Sequence, residues 1–367
     1  MSLRKVHLQE TVLEAARARI VNVFDRFEHV HASVSGGKDS LVLFFLALAE
    51  ARRRGRPLHV FFLDQEAEYA ATIDVIRWMM SQPGVVPLWY QVPLYLTNAT
   101  SYLVDQLYAW GPGEPWMREK EPGAIGAIEG KYPQRFYPFF EWWEREQPAG
   151  SAFLVGLRAE EGVTRFRAVT KHPGLPDLPW SSKTKRAGSV KLYPLYDWGM
   201  GDVWKLIRDE ALPYNRVYDA LYALGHGVYN TMRVSNLIHE IAFRSLAELA
   251  LIEPGTYARL ERRLPGVHAA AQHARSAFLY DARELPAAFP TWRAFRDHLL
   301  ETMPIDETKK ARHRRRFAGQ NETEAVFQAQ CKRLLIGDHE GNVPITTRGA
   351  SKKRPVEDRF ARWRRLW

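Results

Sequence analysis

"HASVSGGKDSLVLFFLALAE" spans residues 31–50. An apolar run ends at Val34, a polar hexapeptide follows, and a long apolar pattern then begins. The hexapeptide is Ser35, Gly36, Gly37, Lys38, Asp39 and Ser40. A plain glycine turn would explain its flexibility and nothing else. A phosphate cradle explains each residue. Gly36 and Gly37 let the backbone approach an anion closely, Ser35 and Ser40 offer hydroxyls, and Lys38 brings a positive charge. The helix expected after them adds its positive N-terminal end. The run matches neither G-x-x-x-x-G-K-[ST] nor G-x-G-x-x-G, so the two best-known nucleotide loops do not describe it.

Outward from this stretch, "HVHASV" (29–34), "LHVFFLD" (58–64), "VVPLWYQV" (85–92) and "AFLVGLR" (152–158) have strand character and alternate with helical patterns. Alternation of that kind predicts crossover connections and a parallel sheet, hence an α/β, Rossmann-like fold. Ligands of such sheets bind beyond the carboxyl ends of the strands, which is where residues 35–40 fall. Between the third and fourth strands lies an insert, residues 94–151, rich in Trp, Tyr, Pro and Gly. Its length predicts a lid or a substrate-side excursion. Past residue 230 the pattern turns helical. The expected organisation is a nucleotide-binding domain over 1–230 with the insert inside it, a helical region over 231–335, and a basic C-terminal tail over 336–367.

Composition narrows the functional classes. The chain has 367 residues, 46% of them hydrophobic and 26% charged, as in an ordinary globular protein. No apolar run approaches the length of a membrane span, and the first twenty residues lack a signal peptide's apolar core. Cys331 is the single cysteine, which excludes a disulfide framework, a cysteine-based zinc site and an iron–sulfur cluster held by this chain alone. A cytoplasmic location and no membrane association are the expectations. The net charge is +10, and the stretch from residue 301 onward supplies most of it. "KKARHRRR" (309–316) and "SKKRPVEDRFARWRRLW" (351–367) are its densest runs, with Trp363 and Trp367 interleaved. A solvated tail, an acidic protein partner, and binding of DNA or RNA all fit such runs.

"SVSGGKDS" resembles the PP-loop of the ATP pyrophosphatase superfamily, whose fold is the adenine nucleotide alpha hydrolase-like sheet. Three further segments resemble that superfamily's sulfonucleotide reductases, in order: "FLDQEAEYAAT" (62–72), "GLRAEEGVTR" (156–165) and "YPLYDWGMGDVWKLIRDEALPYNRVYDALYALG" (193–225). "MRVSNLIHEIA" and "EPGTYARL" resemble the IbrA-like branch of phosphoadenosine phosphosulfate reductase-like proteins, whose members are typically encoded beside a ParB-like partner. The resemblance implies an adenine nucleotide, ATP or phosphoadenosine phosphosulfate, with Mg, and a possible ParB-like partner. It also exposes a departure. The reductases attack sulfur with a cysteine in a short C-terminal motif, whereas this chain ends "RFARWRRLW" and carries Cys331 inside "AVFQAQCKRLLIG". Reductase chemistry through Cys331 is therefore not expected.

The candidate residues follow. Lys38, Asp39 and Arg158 are the expected catalytic set. Ser35, Gly36, Gly37, Lys38, Asp39, Ser40, Asp64, Arg158 and Arg165 are the expected nucleotide-binding set. Asp39 could ligate Mg or orient the Lys38 region. Asp64 ends a strand at the same sheet edge, where it could hold the ribose or a metal, or only form a turn. Guanidinium forks at Arg158 and Arg165 suit phosphate or sulfate, with pairing to Glu160 and Glu161 as the plain alternative. Asn215 and Tyr218 could approach the nucleotide. Trp198, Asp202, Trp204 and Pro213 have the look of architecture. His226, His239 and Glu240 lack the His-Glu-x-x-His spacing of a metal site.

Three functions compete. An ATP-consuming enzyme would adenylate a substrate and release pyrophosphate, as a PP-loop ATP pyrophosphatase or nucleotidyltransferase. A sulfotransferase-type enzyme would bind phosphoadenosine phosphosulfate, with Lys183, Lys185 and Arg186 assisting. A non-catalytic, nucleotide-sensing regulator would bind nucleic acid with a ParB-like partner.

Overall fold

β1 (Val30–Ser33) is buried on both faces, which suits a central strand covered on each side. It pairs in parallel with β2 (Leu58–Leu63), His31 opposite His59, and with β6 (Ala152–Val155), His31 opposite Phe153. β3 (Val85–Tyr90) extends the sheet beyond β2. On the other side come β8 (Val190–Leu192), parallel to β6, and the edge strand β7 (Ser181–Lys183), antiparallel to β8. The order is β3-β2-β1-β6-β8-β7. The chain thus leaves β1 toward one edge and later returns to build the other. The reversal falls between β1 and β6, the place in an open α/β sheet where a crevice opens. The computed structural model describes residues 8–100, 104–170, 173–227, 232, 234, 236–239, 246–267, 284–303, 305–335, 338, 341 and 345.

The flanking helices form where capping and apolar spacing agree. α1 (Val12–Arg26) starts at Thr11, whose hydroxyl accepts from Glu14 N at 3.2 Å while Glu14 Oε2 accepts from Thr11 N at 2.9 Å. Its buried residues Ala16, Ile20, Val23 and Phe24 follow the helical repeat and form part of the core around the sheet. α2 (Lys38–Arg53) follows β1, and α3 (Ala70–Met80) follows β2. The insert is not a loose loop. It carries a two-stranded sheet of β4 (Leu94–Thr97) and β5 (Gln106–Ala109), then α4 (Phe136–Glu146). Its aromatics are the reason, since Phe139 and Trp143 are buried and the Trp143 ring lies 3.9 Å from that of Phe61 on β2. α5 (Val163–Thr170), α6 (Met200–Asp209) and α7 (Val217–Ala223) follow β6 and β8.

Two compact units divide the chain, one from residues 1–96, 108–218 and 229–236, the other from 97–107, 219–228 and 237–367. The second contains α8 (Leu246–Ile252), α9 (Pro254–Arg263), α10 (Trp292–Thr302), α11 (Glu307–Ala318) and α12 (Glu324–Leu335). Leu300, Met303, Ile305, Phe317 and Leu334 make a separate apolar cluster there. Among the described residues, no helix is long and apolar enough to cross a membrane.

Candidate functional site

The hexapeptide of residues 35–40 joins β1 to α2. Gly36 holds φ at +68°, and a Cβ there would stand 2.7 Å from the Thr72 methyl, so both conformation and space require glycine. Ser40 closes the loop, its hydroxyl accepting from Ser35 N at 3.1 Å and donating to the Gly37 carbonyl at 2.9 Å. The N-cap of α2 is Gly37, and no side chain caps it. The Lys38 amide instead donates to the Tyr218 hydroxyl at 3.3 Å.

Above the loop, three charged side chains form a chain of contacts. Lys38 Nζ meets Asp39 Oδ2 at 2.8 Å, and Asp39 Oδ1 accepts from Arg158 Nε. Arg158 Nη2 lies 3.8 Å from Glu161 Oε1. Arg158 ends the β6 segment and has only 3% of its side chain exposed. It reaches Asp39 because Gly156 lets the chain after β6 pass against α2, where a Cβ would fall 2.8 Å from the Asp39 carbonyl. Paired cations at a half-buried carboxylate offset desolvation for all three groups. Both Asp39 oxygens are thereby taken by cations. A Mg²⁺ on this carboxylate would be a third positive charge, so the residues present do not fit a metal ligand at Asp39 without displacing Lys38 or Arg158. Among the described residues, no group of three or more His, Cys, Asp or Glu side chains is placed to hold a metal ion.

Tyr218 and Asn215 close the loop from the far side. Tyr218 is buried, its ring centroid is 5.6 Å from Lys38 Nζ, and Trp204 packs edge-on against it at 5.4 Å. Burial, with the charges of Asp39 and Glu161 adding to it, raises its phenol pKa, so the group is a neutral hydroxyl. That hydroxyl accepts from Lys38 N, and its own hydrogen has no acceptor among the described residues. Asn215 donates to Thr72 Oγ1 at 2.8 Å, which fixes the residue that Gly36 touches.

Asp64 has a different setting. It is wholly buried and accepts from Trp89 Nε1 at 2.9 Å, Gln91 Nε2 at 3.0 Å, Glu66 N at 2.9 Å, and Arg118 Nη2 at 2.6 Å from each oxygen. Glu66, at φ +64°, accepts from Trp110 N at 2.8 Å and Met117 N at 3.1 Å. The acids of "DQEAEY" thus tie β2 to the insert. Glu68 is buried beside them. Burial pushes its carboxyl well above the usual range, Asp64 adds to the shift, and Arg118 opposes it. Arg118 had no signal in the sequence, being one arginine in a long insert.

Arg165 stands on α5, about half exposed, with Nε 3.6 Å from Glu161 Oε2. It shares Glu161 with Arg158 and touches neither Lys38 nor Asp39. Lys183, Lys185 and Arg186 are exposed on β7 and the turn after it. Trp198 is buried and donates to Val12 O at 3.0 Å, and Asp202 accepts from Gly199 N at 2.7 Å at the start of α6. In the second unit His226 Nε2 meets Glu248 Oε2 at 2.6 Å, and Glu240 lies outside the described residues. Cys331 is buried, and burial pushes its thiol up to about 12.

The basic run 309–316 is partly consumed within its own unit. Lys309 Nζ meets Asp105 Oδ2 at 3.0 Å, Lys310 and Arg314 each lie 3.3 Å from Glu307, Arg316 bonds the Gly341 carbonyl, and His313 is buried. The second run, 351–367, lies outside the described residues.

A parallel sheet with a glycine-lysine loop at its switch point, crossed by an arginine from the neighbouring strand, defines a PP-loop nucleotide-binding fold. A family model described as the phosphoadenosine phosphosulfate reductase domain matches residues 145–231, and a domain of unknown function (DUF3440) matches 227–322. "Uncharacterized protein YbdN" of Escherichia coli (strain K12) is 29% identical over 331 residues, 86% of this chain and 80% of that protein. An adenosine 5'-phosphosulfate reductase of Bacillus mycoides is 24% identical over 164 residues, 44% of this chain and 58% of the enzyme. Another, from Allochromatium vinosum, is 38% identical over 72 residues, 20% of this chain and 24% of the enzyme. The chain thus spans well under two thirds of both reductases. The crystal structure of phosphoadenylyl-sulfate (PAPS) reductase from Candida auris, a phosphate complex, aligns with TM-score 0.32 at 15% identity over 59% of this chain and 93% of that one, too loosely to argue from. The chain belongs to the PP-loop ATP pyrophosphatase superfamily as a phosphoadenosine phosphosulfate reductase-like member.

Proposed function

We propose that the chain binds ATP at residues 35–40 and transfers its adenylyl group to an acceptor, releasing pyrophosphate. The observation that carries this reading is the Lys38–Asp39–Arg158 chain at the carboxyl end of β1. In the proposed reaction an acceptor oxygen attacks the α-phosphorus, the bond from that phosphorus to the α–β bridging oxygen breaks, and pyrophosphate carries away the electron pair. Charge then grows on the leaving phosphates, where Lys38, Arg158 and the first amides of α2 would meet it. Asp39 would hold the two cations apart and in register. Mg²⁺ is assigned to the substrate, as the companion of the ATP phosphates, with no protein ligand named for it. The Tyr218 hydroxyl, a neutral donor without an acceptor among the described residues, would add a hydrogen bond to a phosphate oxygen lying over Gly37.

Thiol-dependent reduction is not part of the proposal, because a buried Cys331 whose thiol titrates near 12 is a poor nucleophile at neutral pH. A second reading is favoured by the matched relatives. The matched reductases are named for adenosine 5'-phosphosulfate, a sulfonucleotide, and Arg158 with Arg165 could hold its phosphate and sulfate. Calorimetry with Mg·ATP, phosphoadenosine phosphosulfate and AMP separates the two. Pyrophosphate release across candidate acceptors, lost in Lys38→Ala, tests the adenylyl transfer. Tight phosphoadenosine phosphosulfate binding with no affinity for ATP would overturn it.

A further inference from the structure

The second unit holds a cavity of about 210 Å³ between α10, α11 and α12, with no residue of the phosphate loop in its lining. Three arginines, Arg293, Arg296 and Arg314, stand in its wall with two carboxylates, Asp297 and Glu322. Arg296 on α10 keeps only 11% of its side chain exposed. Its guanidinium lies 5.1 Å from the Phe327 ring centroid and 5.6 Å from that of Phe317. Nη1 donates to Gln330 Oε1 at 2.6 Å, and Gln330, itself buried, donates onward to Gln320 Oε1 at 3.0 Å. Nε is held by Asp297 at 2.5 Å, which leaves Nη2 with no partner among the described residues. Arg293 lies over Phe327 at 5.8 Å, and Arg314, from the basic run, lines the same cavity.

The carboxylates that face these arginines are exposed: Asp297 at 57%, Glu322 at 70% and Glu307 at 73%. Ion pairs of that kind contribute little and yield to a better anion. Each of the three guanidinium groups has one exposed carboxylate beside it, and together they keep donors that a phosphate, with its several oxygens, can meet. The volume is below the roughly 300 Å³ at which drug-sized ligand pockets begin, so a phosphate with at most part of its sugar fits, and a whole dinucleotide does not.

We propose that this cavity is a second anion site, one that binds a phosphate group through Arg293, Arg296 and Arg314. The phosphate is either that of a free ester or one in a nucleic-acid backbone. Arg314 would then be what the basic run contributes to binding, the rest of it being partly engaged within the protein.

The test uses the full chain carrying Lys38→Ala, so that the loop site does not report. Inorganic phosphate is titrated by calorimetry into this parent, into the same chain with Arg314→Gln, and into it with Arg296→Lys. Arg314 is half exposed, so its loss should leave the fold intact by circular dichroism. The expected result is saturable binding in the parent, weakened about tenfold or more by either substitution. Absence of saturable binding in the folded parent, or equal binding in Arg314→Gln, overturns the proposal. Displacement of the phosphate by a short single-stranded oligonucleotide supports a backbone phosphate as the ligand, and retention of the phosphate supports a free ester. Because the parent lacks Lys38, neither result depends on the adenylyl-transfer reading.

Discussion

Asp39 and Asp64 follow neighbouring strands, β1 and β2, and both looked from the sequence like acids at a ligand edge. Their surroundings differ. Among the described residues, Asp39 accepts from two cationic side chains, Lys38 and Arg158, and keeps 13% of its side chain exposed. Asp64 is fully buried among indole, amide, backbone and guanidinium donors, with its arginine drawn from the insert. A carboxylate held by cations that could turn to an anion suits chemistry. A carboxylate saturated by fixed donors suits architecture. Strand position alone cannot separate the two cases, because the donors around Asp64 come from β3 and from more than fifty residues downstream.

Four substitutions can break or sharpen that contrast, in order of expected effect. Lys38→Ala should weaken nucleotide binding at least about 1,000-fold, on the order of 4 kcal/mol, with an unchanged melting temperature. Calorimetry with Mg·ATP checks it, and unaltered affinity would sink the loop as a phosphate site. Asp64→Asn should do the reverse, costing about 3 kcal/mol of stability because Arg118 loses its closest counter-charge and keeps only Glu121 at 3.7 Å. Urea denaturation checks this, and nucleotide affinity of the folded variant should change little. If Asp64→Asn instead abolishes binding at undiminished stability, the two acids are alike after all.

His31 carries the contrast to a group with neither kind of partner. It is buried on β1 among His59, Trp143 and Phe153, and neither ring nitrogen has a hydrogen-bond partner among the described residues. Burial, with the nearby charge of His59 secondary, lowers its pKa to about 3 from an ordinary 6.5. The unfolded chain therefore binds the proton first. Stability attributable to His31 is complete above pH 6.5 and falls as the pH drops from there toward 3, by about 1.4 kcal/mol per pH unit. Denaturation at pH 7.5 and 4.5 should differ by about 3 kcal/mol from this group, and His31→Phe should remove most of that difference. An undiminished pH dependence in the variant would assign the effect elsewhere.

The smallest effect belongs to Tyr218→Phe. Removing one hydroxyl donor should weaken ATP about tenfold, on the order of 1 kcal/mol, with the fold retained. Equal affinity would limit Tyr218 to packing.

Four of the six strands, β1, β2, β3 and β6, were legible as short apolar runs bounded by polar turns, whereas β7 and β8 are three residues each and carry too little apolar sequence to stand out. The loop was legible because glycine, lysine and hydroxyl residues are contiguous there. The contacts that organise the site were less so. Arg158 could be marked, but its Asp39 partner could not be assigned without the strand order that sets β6 beside β1. The insert's length suggested a cover, and the burial of its aromatics appears only once Trp143 meets Phe61. Arg118, Glu68 and the orphaned His31 were invisible, since each owes its character to neighbours distant in sequence.

The pairing of β1 with β6 also bears on how the molecule assembles. β2 follows β1 after one helix, whereas β6 arrives only after β3 and the entire insert. Contacts that close long stretches of chain form late, because their entropy must be met before they bring any return. β1, β2 and β3 can register early, and Arg158 reaches Asp39 only when the last of the parallel crossovers around β1 is complete. Nucleotide affinity should therefore report on the finished fold and not on its amino-terminal half. In refolding kinetics, recovery of binding should lag behind recovery of secondary structure.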